Sequence, residues 1–128
     1  MENKNYLFGD VLVGIFSNLP DGKNAYKMTM GDIGVKEFFY KNKDKYGVIK
    51  NNFTYDLDGT FISSKTVDET LDSLRATRTL LSDMDFKIEK INSSLKYMWN
   101  KFRKDKFKPE EIKEIKDLSR KFAEEFCA

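Results

Sequence analysis

The chain has 128 residues, of which 40% are hydrophobic and 34% charged, and its 23 basic and 21 acidic side chains leave a net charge of +2. It contains no histidine and a single cysteine, Cys127. These absences exclude serine–histidine and cysteine–histidine nucleophile pairs and an intrachain thiolate metal site. An enzyme would have to rely on carboxylates, lysine or tyrosine, so we expect a non-catalytic protein with no cofactor and no bound metal.

Length and hydropathy indicate one domain, 1–128, in the cytoplasm. A chain of this size is long enough to bury a sizeable core. No apolar run approaches the ~20 residues that span a bilayer, so we expect no membrane partner. The amino terminus lacks the basic-then-apolar order of a signal peptide, and a lone cysteine suits a reducing compartment.

Residues 1–65 are predicted to form an antiparallel sheet of four or five strands. The first segment is apolar on both faces, as in a covered central strand, and the next alternates polar and apolar residues. Pro20 and Gly22 predict a turn after the first strand, and Asp58-Gly59 predicts a type I′ hairpin before the last. The candidate strands are YLFGDVLVGIF (6–16), AYKMTM (25–30), VKEFFY (35–40), VIKNNFTYDL (48–57) and TFIS (60–63).

Residues 66–128 are predicted to form a helical half, which begins with a capping box of Thr66 and Glu69. Apolar side chains then recur every seven positions. This period predicts one long helix over 67–104, about 57 Å in length, and places Phe102 in the core.

The long helix is predicted to kink or divide at polar residues such as 92–94 and to end before Pro109. Pro109 suits the first position of a second, shorter helix that reaches 126, because its fixed φ is helical and its missing N–H has no helical partner there. Strands followed by helices, without alternation, indicate an α+β fold. The apolar stripe of the second helix is Ile112, Ile115, Leu118, Phe122 and Phe126.

The seven-residue repeat also predicts a homodimer. A short second helix cannot cover the whole of a longer first one, so part of the apolar face is left for a second copy, packed as a coiled coil. The predicted interface is Leu81, Met84, Ile88, Ile91, Leu95 and Met98.

A basic stripe on the same helix is the main candidate binding surface. The segment WNKFRKDKFKP, 99–109, carries several bases and one acid, and a phosphate backbone or an acidic protein surface would be attracted to it. The alternative is a solvated helix end, where lysine is favoured by the helix dipole. The candidate residues are Lys90, Tyr97, Lys101, Arg103, Lys104 and Lys108.

Arg75 and Arg78 form a second candidate site. A guanidinium group binds phosphate or carboxylate with two parallel hydrogen bonds, which lysine cannot reproduce. We therefore consider a small phosphorylated ligand, such as a nucleotide, for this pair. The alternative is pairing within the helix, for example between Arg75 and Asp72.

Two acidic positions are of lesser interest. Asp10 interrupts an apolar segment, and we expect it at an exposed edge, with a buried carboxylate as the alternative. Asp56 and Asp58 resemble the start of a calcium loop, but the closing glutamate is absent and a hairpin turn explains them.

Composition and motifs together favour a protein that acts by binding. In type, the chain resembles small lysine- and asparagine-rich proteins of phages and mobile elements, and this resemblance implies an inhibitor that blocks a macromolecule of a bacterial host. Sequestration of an anionic ligand would be a related role. The alternative is a nucleic-acid-binding module that uses the basic stripe.

Overall fold

The structure is a computed structural model that describes residues 6–28, 32–85 and 87–127. The helices in these ranges are α1 (Phe8–Ser17), α2 (Ile33–Asn42), α3 (Gly47–Lys50), α4 (Lys65–Ala76), α5 (Ser94–Met98) and α6 (Pro109–Phe126). The strands are β1 (Ala25–Lys27), β2 (Asp56–Asp58), β3 (Phe61–Ser63), β4 (Leu80–Ser82) and β5 (Ile88–Ile91). A π-helical turn, Trp99–Arg103, and a 3₁₀ turn, Lys104–Lys106, continue α5.

The strands form two small antiparallel sheets. One has three strands in the order β1–β5–β4, and the other is the β2–β3 hairpin. In the three-stranded sheet, Lys90 lies opposite both Ala25 and Leu81. Because side chains alternate along a strand, Leu81, Ile88 and Lys90 lie on the outer face, while Glu89 is buried on the inner face.

The core joins the two ends of the chain through α1 and α6. Phe122 of α6 packs against Phe16 of α1 and against Tyr26 of β1, with ring centroids 5.3 Å and 5.2 Å away. The Ser119 hydroxyl donates to the backbone oxygen of Ile15 at 2.7 Å, which satisfies a polar group in this interface. Residues from both halves of the sequence therefore share one hydrophobic core.

The predicted N-terminal sheet is wrong: its first and third candidate strands are the helices α1 and α2. Helix α1 is apolar all round because the core surrounds it, and Asp10 accepts the backbone N–H of Leu7 at 2.9 Å to close its first turn. In α2 the buried residues Val35, Phe38 and Phe39 follow a helical spacing. Thr29 and Met30, at the end of the second candidate strand, lie outside the described residues.

The predicted long helix over 67–104 is also wrong, because β4 and β5 lie within it. Helix α4 stops just before Arg78, which adopts a left-handed φ of 60° and reverses the chain. The Asp83 carboxylate accepts the backbone N–H groups of Lys87 and Ile88 at 2.7 Å and 3.1 Å, which stabilises the β4–β5 turn. The first residue of α4 is Lys65, and its cap is Ser64, whose hydroxyl accepts the N–H of Val67.

The residues of the predicted coiled-coil interface consequently do not share one face. Leu95 is fully buried in the core of its own chain, whereas Met84 lies in the β4–β5 turn with 96% of its surface exposed. Leu81 and Ile88 are partly exposed on the outer face of the sheet. Ile91 packs against the core, and Met98 is half-buried. The coiled coil is therefore wrong, and the homodimer stays a prediction.

Several local predictions are confirmed. Gly22 has a φ of 83° in the predicted turn after α1. A hairpin does join β2 to β3, although its loop is Gly59–Thr60, with only Gly59 at a positive φ, instead of Asp58–Gly59. Helix α6 begins with Pro109 at its first position, as the sequence indicates. None of the helices described here is long and apolar enough to span a membrane.

Candidate functional site

The π-helical turn gathers part of the predicted basic stripe into one surface. Lys101 Nζ lies 5.6 Å from the centroid of the Tyr97 ring, and the Tyr97 and Phe102 rings are 6.1 Å apart and nearly perpendicular. Lys104 begins the 3₁₀ turn that follows and is also exposed. We call Tyr97, Lys101, Phe102 and Lys104 the aromatic–basic patch.

The π turn explains why the two aromatic rings meet. In an α-helix, residues five apart are about 140° apart around the axis and face different directions. The wider π turn brings such residues onto the same side. Phe102 is accordingly 61% exposed and Tyr97 58% exposed, so the prediction that Phe102 lies in the core is wrong.

Buried residues hold the segment that carries the patch. Leu95 and Trp99 face the core, and the Trp99 ring packs against Phe107 with centroids 5.4 Å apart. Gly14 of α1 lies directly against Trp99: a Cβ at Gly14 would come within 2.8 Å of the indole ring. The segment that carries the patch is therefore closely packed against the core.

Asp10 ties the far end of this segment to α1. Its side chain is 97% buried and accepts from Arg103 Nη1 at 2.5 Å and from Lys106 Nζ at 3.4 Å. The expectation of an exposed Asp10 is therefore wrong. Arg103, predicted to bind a partner, instead points back into this ion pair and helps to position the exposed residues beside it.

The remaining cations of the patch are not neutralised by the protein. Lys101 and Lys104 form no ion pair with any carboxylate in the described parts of the chain, and Lys101 Nζ lies over the Tyr97 ring. Neighbouring Lys96 is exposed as well. Lys90 lies on β5, and Lys108 is the N-terminal cap residue of α6, so both belong to other elements.

Arg75 does not converge with Arg78 on a ligand site. Arg75 donates to Asp32 through Nη1 and Nη2 at 2.9 Å and 2.7 Å, and to Glu89 through Nε at 2.6 Å. These two carboxylates raise the pKa of the guanidinium. Glu89 is fully buried and also accepts from the Ser82 hydroxyl at 2.6 Å, so Arg75 compensates a buried charge.

The same cluster includes the hydroxyl of Tyr26. The Tyr26 hydroxyl is buried and has no hydrogen bond to any residue that the structure describes. Burial and the nearby Glu89 raise the pKa of this phenol, which keeps it neutral. The contact of Arg75 with Asp72, the alternative drawn from the sequence, is present but long, at 3.8 Å.

A second surface contains Tyr40 and Tyr55. Their ring centroids are 5.0 Å apart, and Lys43 Nζ lies 5.0 Å from the Tyr40 ring. A neighbouring groove of about 420 Å³ is lined by Glu37, Lys41 and Glu125, so acidic side chains outnumber the single base and the groove does not favour an anionic partner. In the described ranges, no group of three or more cysteine or acidic side chains is placed to hold a metal ion.

No protein-family model, curated protein or solved structure matches this chain.

Proposed function

We propose that this chain is a non-catalytic binding protein that holds an anionic partner on the aromatic–basic patch. The observation that supports the proposal is the pairing of two exposed aromatic rings with unneutralised lysines on one short segment. Single exposed apolar side chains are ordinary, but an adjacent pair among like charges suits a recognition surface. By covering an acidic or phosphate-bearing surface, such a protein would block it, as expected of a phage or mobile-element inhibitor.

The construction of the patch supports a binding role. Its exposed residues lie on a helical segment fixed from below by Trp99 and from the side by the Asp10–Arg103 ion pair. A binding surface on rigid elements loses less conformational entropy when a partner binds than one on a loose loop. A π-helical turn, which is often found at functional sites, shapes the surface further.

The competing proposal, sequestration of a small phosphorylated ligand by Arg75 and Arg78, is less favoured. All three kinds of nitrogen in the Arg75 guanidinium already donate to Asp32 or Glu89. A phosphate would have to replace both carboxylates and leave Glu89 buried without a partner, which is costly.

Retention on immobilised heparin, a polyanion, tests the proposal. The Lys101→Glu/Lys104→Glu variant should elute at clearly lower salt than the unmodified protein, because the local field is reversed. The matched control is Lys113→Glu/Lys116→Glu, which makes the same charge change at two exposed positions of α6 with the same spacing. Equal elution of both variants would show that only net charge matters and would contradict the proposal. Circular dichroism should show all three proteins folded.

A further inference from the structure

The chemistry of the aromatic–basic patch points to a particular anionic partner. We infer that it is a single-stranded nucleic acid, whose bases stack on Tyr97 and Phe102 while its phosphates contact Lys101 and Lys104. The inference rests on the proposed function and names the class of its partner. Three features of the patch support this inference.

The first feature is the pair of rings. Every nucleobase has a flat π face, and stacking on an aromatic side chain binds a base whatever its identity. Phe102 is 61% exposed and Tyr97 58% exposed, so both rings have surface available for a base. A nucleotide supplies a flat base and a phosphate together, so one partner can contact both the rings and the lysines.

The second feature is the kind of cation that the patch exposes. The arginine fork recognises carboxylate and phosphate alike, but Arg103, the arginine nearest the patch, is bound to Asp10. The exposed cations, Lys101 and Lys104, act as point charges and can also bind phosphate oxygens. Positive charge beside a polyphosphate backbone provides the required charge complementarity.

The third feature is the shape of the surface. Tyr97 and Phe102 project from the side of a short helical segment, where they can meet bases that are unstacked and accessible. In a duplex the base faces are covered by their neighbours, so the rings could not stack without opening it. The patch therefore suits single strands.

The test uses the full chain and a fluorescently labelled oligothymidylate of about 10 nucleotides, with binding followed by anisotropy. Phe102→Ala should weaken binding about tenfold, since stacking on one base contributes on the order of 1–3 kcal/mol. Phe102→Leu keeps the apolar bulk and removes the flat ring, so it should weaken binding about as much as Phe102→Ala. It provides the same test if the alanine variant is poorly folded. Phe61→Ala removes a comparably exposed ring from β3 and should have no effect.

The charge contribution is tested by the salt dependence. Lys101→Gln/Lys104→Gln should reduce the slope of log affinity against log salt by about 1.4, because each phosphate contact on a single strand contributes about 0.7. Lys113→Gln/Lys116→Gln should leave the slope unchanged.

The outcomes separate this inference from the proposed function. Equal binding of the oligonucleotide by the ring variants and the unmodified chain would overturn the inference, as would a preference for a duplex of equal length. Tighter binding of polyglutamate than of the oligonucleotide would also overturn the inference. If Lys101→Gln/Lys104→Gln weakened that binding, the result would support the proposed function. Failure to bind the oligonucleotide, polyglutamate and heparin would overturn both.

Discussion

Gly14 has a specific role at the scale of single residues, because the Trp99 ring occupies the space where a side chain would be. In α1 the backbone at this position approaches the indole closely, and Ile115 of α6 lies on another side. Glycine costs helix stability through its backbone entropy. Here that cost is offset by close packing between α1 and the segment that carries the aromatic–basic patch.

We therefore expect Gly14→Ala to destabilise the protein by about 1–3 kcal/mol, since the added methyl group would overpack the core. The measurement is the free energy of unfolding from urea denaturation. Gly9→Ala in the same helix is the control: its Cβ would meet Thr70 at an ordinary 3.5 Å, so we expect a gain of up to about 1 kcal/mol from helix propensity. Similar changes for both variants would contradict the packing argument.

Some site residues could be predicted from the sequence and others could not. Tyr97, Lys101 and Lys104 follow from charge and spacing, and the structure places all three in the patch. Phe102 could not be assigned correctly, because the direction of its side chain on a regular helix differs from its direction within a π turn. Asp10 shows a different limit, since its ion-pair partner Arg103 is 93 residues away and no local pattern connects them.

At the scale of elements, two patterns were ambiguous. The run YLFGDVLVGIF is apolar throughout, and periodicity alone does not distinguish a buried strand from a buried helix. Its length favours a helix, because strands of eleven residues are uncommon. The seven-residue repeat was misleading, because Leu81 and Ile88 stand on neighbouring strands and Arg78 adopts a left-handed conformation that no glycine signals. The terminal helix was predictable from Pro109 and its apolar stripe.

Besides its core packing, helix α6 accepts hydrogen bonds from two tyrosine hydroxyls. Tyr6 donates to Glu111 at 2.8 Å, and Tyr46 donates to Asp117. Burial and these carboxylates raise the pKa of Tyr6 to about 12 and that of Tyr46 to about 12. Both phenols must keep their protons to donate.

These shifts predict a loss of stability in alkali. Below pH ~10 the phenols are neutral in the folded and the unfolded chain, so their contribution to stability is complete. As the pH rises from about 10 towards about 12, the unfolded chain loses these protons first, and the free energy of unfolding decreases.

The Tyr6→Phe/Tyr46→Phe variant should be less stable at neutral pH, by about 1 kcal/mol for each lost hydrogen bond, and its stability should depend less on alkaline pH. Urea midpoints at pH values from about 7 to about 11 provide the measurement. Parallel pH profiles for the variant and the unmodified chain would show that these hydroxyls are not the cause.

At the scale of the whole molecule, the boundary at residue 65 between a sheet half and a helical half does not match how the core is built. Strand β1 of the first half pairs with β5 of the second, and α1 packs against α4 and α6. Phe16 and Phe122 meet across the same division. Each half therefore buries apolar surface against the other.

Because the two halves share one core, we predict that neither half folds alone. Fragments 1–65 and 66–128, expressed separately, should lack a cooperative thermal transition by circular dichroism, because α1 and α6 would each expose an apolar face to water. Co-expression of the two fragments is the control, since it restores both faces, and it should yield a soluble complex with helical signal. A fragment 66–128 that melts cooperatively on its own would show that the helical half has an independent core. The shared α1–α6 core would then not be required for folding.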